Sequence, residues 1–154
     1  MYDFLSLCNE INQYCSVQAG ASVNVKTHSH ETPLHLAARR AQNDVIVLLL
    51  KNEAKVKSSY LLNINHFQVN AVNKKSQTPL HYSVMSMSAY TDVDSVTALA
   101  TSQILLEHGA ESSTINYKGQ TALHLATKKS LTDHVRLLLK DNHQGIISAT
   151  TKLF

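Results

Sequence analysis

The sequence predicts a mainly α-helical solenoid of stacked helix–turn–helix units, and three observations predict it. One heptad pattern occurs three times, as Thr32-Pro33-Leu34-His35-Leu36-Ala37-Ala38, Thr78-Pro79-Leu80-His81-Tyr82-Ser83-Val84 and Thr121-Ala122-Leu123-His124-Leu125-Ala126-Thr127. Each copy is followed by a second apolar patch ending in paired leucines: Val45-Ile46 with Leu49-Leu50, Ile104 with Leu105-Leu106, and Val135 with Leu138-Leu139. The chain has 154 residues, 44% apolar and 16% charged, which is one domain's worth of sequence. Self-similarity of this kind marks units that cannot bury their apolar face alone and do so against their neighbours.

Taken in order, residues 2–17 carry Phe4, Leu7, Cys8, Ile11, Tyr14 and Cys15 at steps of three and four, one apolar helical face that caps the first repeat. The two cysteines lie seven apart, too distant on a straight helix to bridge, and read as small buried hydrophobes. Each heptad then reads as a helix start. Thr at the N-cap satisfies an orphan N–H, Pro at the first helical position has no donor to lose, and His at the third can close a reciprocal bond to the Thr. That makes His35, His81 and His124 structural residues, one per unit, rather than a metal-binding trio.

The heptad resembles the ankyrin repeat, whose pattern is Thr-Pro-Leu-His-x-Ala in a unit of about 33 residues. Ala122 in place of Pro and Ser83-Val84 in place of Ala-Ala depart from it. The intervals between the Thr residues are 46 and 43, so both are longer than the family unit. Gly20-Ala21 and Gly109-Ala110 stand 12 residues before Thr32 and Thr121, the place of the Gly-Ala that closes the second helix in the family; Glu53 and Asn142 stand 21 after Thr32 and Thr121, the same place counted from the other side. The extra residues therefore fall after the first helix pair and inside the second. The resemblance implies a single ankyrin-repeat domain: an N-terminal cap or partial repeat at 1–26, repeat 1 at 27–57, an insertion at 58–72, repeat 2 at 73–115 with an internal insertion near 86–98, repeat 3 at 116–145, and a tail at 146–154. It also implies short β-hairpin loops between units. Gly20 and Gly109 fall at helix C-caps and Gly119 at a hairpin tip, where positive φ is wanted.

The first insertion, Ser58–Val69, is apolar for a loop, with Tyr60, Leu61, Leu62, Ile64 and Phe67 either packed back on the helices or offered to a partner. The second, Ser88–Asp94, is polar and reads as an extended helix and loop. The stretch Gly145–Ala149 stops where a fourth heptad would begin, which is either a frayed cap or the cut end of a longer protein.

Motifs for catalysis are missing: there is no glycine-rich phosphate loop, no Gly-x-Ser-x-Gly elbow and no His-Glu-x-x-His. His28-x-His30 offers two imidazoles with no third ligand in sequence reach. The longest aliphatic run, Val45–Leu50, falls far short of the ~20 residues of a membrane span, and the N-terminus lacks a secretory signal. The expectation is a non-enzymatic protein with no cofactor, metal, small-molecule substrate or membrane contact. With two cysteines it belongs in a reducing compartment, the cytoplasm first, with the nucleus or a host cell as other settings.

The resemblance implies a concave face made of the positions just before each Thr and those ending each first helix. Here these are His28, Ser29, Glu31, Arg39 and Arg40, then Lys74, Lys75, Gln77, Met85 and Ser86, then Tyr117, Lys118, Gln120, Lys128 and Lys129. Seven of the fifteen are Lys or Arg and one is acidic, whereas the other 139 residues hold seven basic and ten acidic groups. A one-signed face steers oppositely charged partners, so the function expected is gripping an acidic protein segment, with Tyr117 and Met85 as apolar anchors between charges. Its bland counterpart is a solvated basic face. Nucleic-acid binding through the same face is the second reading, weakened by thin aromatic interleaving. The targeting part of a larger protein, such as a ubiquitin-ligase adaptor or an effector, is the third. Short ankyrin-only proteins with irregular repeats and insertions also look like those viruses and intracellular bacteria use to engage host proteins.

Overall fold

The structure, a computed structural model, describes residues 26–56, 69–86 and 94–151. The N-terminal cap read over residues 2–17, the apolar part of the first insertion and most of the second lie outside the described residues. Six helices are described: α1 (Pro33–Arg39), α2 (Asn43–Val56), α3 (Pro79–Met85), α4 (Ser95–Glu107), α5 (Ala122–Lys128) and α6 (Thr132–Thr151). α1, α3 and α5 pack side by side as one row, α2, α4 and α6 as a second, and each first helix packs on the second helix of its own unit. This is the two-layer solenoid expected from the repeats.

The heptads start their helices as the sequence suggests. Thr32, Thr78 and Thr121 are extended N-caps, and a reciprocal capping box with the histidine three residues on is present in all three. Each histidine Nδ1 accepts the Thr backbone N–H at 3.1–3.2 Å and lies 2.8–2.9 Å from the Thr hydroxyl. The box forms at Thr121 without proline, so the Thr–His pair starts the helix and Pro is an accessory. An Nδ1 that accepts an N–H carries no proton of its own, which assigns the hydrogen to Nε2. In the first two units that Nε2–H donates to a carbonyl of the following unit: His35 to Gln77 C=O at 2.9 Å and His81 to Gln120 C=O at 3.0 Å. One imidazole thus starts a helix and ties two repeats together.

The loops before each heptad share a device. Thr27 Oγ1, Asn73 Oδ1 and Asn116 Oδ1, each five residues before the capping Thr, accept the N–H groups two and four residues on, at 2.8–3.1 Å. The loop tips His30, Ser76 and Gly119 have φ of 61°, 53° and 70°. Neighbouring loops are joined by one bond each, Lys74 N–H to Ser29 C=O at 2.9 Å and Tyr117 N–H to Lys75 C=O at 3.0 Å. The expected β-hairpins are therefore tight turns, and the described residues contain no strand. The side-chain oxygens take N–H groups that a ladder would need, and single bonds between loops do not make one.

Leu34, Ile46, Leu80, Leu105 and Leu138 fill the core, with Ala37, Ala38, Ala98 and Ala126 allowing the helices to approach closely. Ser83, in an alanine position of the pattern, is fully buried and meets Ser102 of α4 at 2.8 Å, while also donating to Leu80 C=O at 2.9 Å. Both hydroxyls are satisfied, which is why the polar pair is tolerated. The second insertion lies between Ser86, the C-cap of α3, and Asp94, whose Oδ1 accepts Thr97 N–H at 2.7 Å to start α4. α6 runs through Gly145 to Thr151, so the boundary expected at residue 145 is crossed by continuous helix. Residues 143–151 contain no proline to stop it, and one glycine costs only about 1 kcal/mol.

Candidate functional site

The ends of α1, α3 and α5, together with the loops before α3 and α5, enclose a cleft of ≈ 510 Å³. Nine of the fifteen expected contact residues line it: Arg39, Lys75, Gln77, Met85, Tyr117, Lys118, Gln120, Lys128 and Lys129. His28, Ser29, Glu31, Arg40, Lys74 and Ser86 do not. Tyr82, Asn116 and Leu125 complete the lining and were not singled out in the sequence. Tyr82 carried a signal, since the other two heptads have leucine there, and so did Asn116, through the shared spacing of Thr27, Asn73 and Asn116.

Several of these side chains are engaged within the protein. Glu31, the one acidic residue of the expected face, accepts the Tyr82 hydroxyl hydrogen bond. Arg39 Nη1 stands 3.9 Å from the same carboxylate, and its guanidinium lies 6.0 Å from the Tyr82 ring centroid. Tyr82 also meets His35 edge-on at 5.4 Å and receives Asn73 Nδ2 at 3.0 Å. Burial, with help from the Glu31 carboxylate, pushes the Tyr82 phenol up to about 12, so it is a neutral hydrogen-bond donor across the physiological range. Gln77 is only 6% exposed: its Nε2 points to Met85 Sδ at 3.2 Å and its Oε1 faces Asn73 Nδ2 at 3.3 Å, which makes it scaffold for the cleft wall. Ser86, expected on the face, is buried and donates to Ser83 C=O.

On the side of repeats 2 and 3 the cleft is open and basic. Lys75, Lys118 and Lys128 are exposed. Lys129 Nζ donates to Met85 C=O at 2.9 Å, and burial lowers its pKa from the ordinary lysine range. Tyr117 is 59% exposed with the Lys118 ammonium 5.3 Å from its ring centroid, and Met85 is 37% exposed. The lining thus combines exposed apolar side chains with cations, suited to a chain that carries both carboxylates and apolar side chains. Among the described residues no group of three or more His, Cys, Asp or Glu could hold a metal ion, and no helix is long and apolar enough to cross a membrane.

A family model described as ankyrin repeats, in three copies, matches residues 6–102 and 59–148. NF-kappa-B inhibitor zeta of Homo sapiens is 29% identical over 127 residues, 82% of this chain but 16% of that protein, and its Mus musculus counterpart is 29% identical over the same length. BCL-6 corepressor-like protein 1 of Homo sapiens is 28% identical over 126 residues, 79% of this chain and 6% of that protein. The chain thus spans a small part of these relatives. With the capping boxes, the histidine links between units and a family match across most of its length, the chain belongs to the ankyrin-repeat proteins, whose stacked units are protein–protein interaction modules.

Proposed function

We propose that this chain is a non-enzymatic interaction module, acting in the cytoplasm, that grips an acidic segment of a partner protein in the cleft across α1, α3 and α5. The observation that carries the reading is the sign of the lining: Arg39, Lys75, Lys118, Lys128 and Lys129 border the cleft, and among the described residues no Asp or Glu does. A one-signed concave surface raises the local concentration of oppositely charged segments and speeds their encounter. Exposed Tyr117 and Met85 supply the apolar contact that charge alone lacks, since aromatic anchors dominate interface energetics. The relatives' names, an NF-kappa-B inhibitor and a BCL-6 corepressor-like protein, fit an activity directed at other proteins.

The test is affinity capture from nuclease-treated lysate with the wild type and a Lys75→Glu/Lys128→Glu variant, checked for unchanged helical content. Both lysines are exposed, so the fold should survive the exchange. An acidic protein held by the wild type, released by salt and lost in the variant supports the reading. Equal capture by both proteins makes the basic face solvation alone, and a complex that disappears on nuclease treatment points to nucleic acid.

A further inference from the structure

The cleft is not uniformly basic, and its asymmetry specifies the partner more closely. At the repeat 1 end Glu31 stands 3.9 Å from Arg39 while accepting the Tyr82 hydroxyl, so cation and anion nearly cancel there. At the other end Lys75, Lys118 and Lys128 are exposed, and among the described residues none of the three takes part in an ion pair. The same cleft is lined by Tyr117 and Met85, two of the few exposed large apolar side chains among the described residues. Lys118 lies over the Tyr117 ring at 5.3 Å, an attraction between cation and ring quadrupole.

We propose that the cleft selects a segment in which carboxylates flank an apolar side chain, the apolar group seated on Tyr117 and Met85 and the carboxylates on Lys75, Lys118 and Lys128, while Glu31, from outside the lining, neutralises Arg39 and withholds that cation from the partner at the repeat 1 end. The proposal rests on the reading that the cleft takes an acidic protein segment, and charge complementarity is what commits it to that occupant. Lysines alone hold any polyanion weakly and with strong salt dependence, because exposed ion pairs are largely screened. An apolar anchor adds a contribution that salt leaves in place, and the pairing of Glu31 with Arg39 confines the unpaired cations to the repeat 2 and 3 side, which sets where the carboxylates fall.

The experiment titrates the full chain into fluorescein-labelled synthetic peptides and reads anisotropy. Two peptides carry the same four glutamates around a central residue that is phenylalanine in one and serine in the other, and a neutral Gly-Ser peptide is the control. The phenylalanine peptide should bind about tenfold or more tightly than the serine peptide, the scale expected for burying one large apolar side chain. Tyr117→Ala should abolish that difference and Tyr117→Phe should keep it. Glu31→Gln, which still offers an acceptor to Tyr82, should tighten both acidic peptides severalfold. If the two acidic peptides bind the wild type equally, or the preference survives in Tyr117→Ala, the anchor is overturned while the acidic reading stands. Unchanged or weaker acidic-peptide binding by Glu31→Gln overturns the neutralising role of Glu31. If neither acidic peptide binds better than the control, the acidic reading itself falls.

Discussion

The same four-residue spacing, Thr-x-x-His, is put to unequal use in the first two repeats and in the third. In all three the histidine closes a capping box. In the first two the ring is also buried and its Nε2–H reaches a carbonyl of the next unit, whereas the His124 ring is exposed and its Nε2 meets no acceptor among the described residues. Local sequence therefore determines the cap, and the neighbour determines whether the residue also couples units. Solenoid stability is the sum of such unit and interface terms, so equivalent positions need not be equal in energy.

The largest test of this difference is a matched pair of truncations. His81→Ala removes a buried ring, a capping acceptor and the donor to Gln120 C=O; the lost bond and the cavity together should cost about 3 kcal/mol. His124→Ala removes the cap alone and should cost about 1 kcal/mol. Urea unfolding followed by circular dichroism measures both. Equal losses would mean that the link between units contributes nothing and the capping box is the histidine's whole role.

A smaller effect follows from pH. Burial lowers the pKa of His35 and His81, partly opposed by their bonds to Gln77 and Gln120, and burial likewise lowers that of His134 in α6. The unfolded chain takes up protons near the ordinary value of 6.5 while the folded chain resists them. Stability is therefore fully present above about pH 6.5 and falls as the pH drops below it, levelling off once the folded histidines also protonate. Urea midpoints between pH 7.5 and 5 should decline, and His81→Gln should decline less steeply than the wild type. A flat profile in the wild type would remove the neutral tautomer from the account of the links.

What could be read in the sequence divides along the same line. The helix starts were legible because Thr78 and His81 are three residues apart and their bond is local. The link from His81 to Gln120 spans 39 residues and that from His35 to Gln77 spans 42, and no local pattern reveals whether insertions of this size preserve the stacking. They do: Lys74 to Ser29 and Tyr117 to Lys75 are equivalent bonds across both long intervals. The basic face was legible as spacing, and most of it converges. That Glu31 is spent on Tyr82, 51 residues away, and Gln77 on Met85 was not, because both depend on side-chain geometry in the folded wall.

The smallest expected effect compares the loop tips. Gly119 sits at φ 70° with nothing within 4 Å of the place a Cβ would occupy, so Gly119→Ala adds no clash and costs only the left-handed conformation, about 1 kcal/mol. His30 and Ser76 hold the same conformation in the first and second loops at φ 61° and 53° with side chains present. Converting each to glycine relieves that strain but frees the unfolded chain, so His30→Gly and Ser76→Gly should each stabilise by a fraction of 1 kcal/mol. Thermal unfolding of the three variants orders them: glycine at 30 or 76 raises the midpoint and alanine at 119 lowers it. A destabilised Ser76→Gly would show that the serine side chain supports the loop in its own right. The three tips would then be equivalent in backbone conformation but not in the means by which each is held.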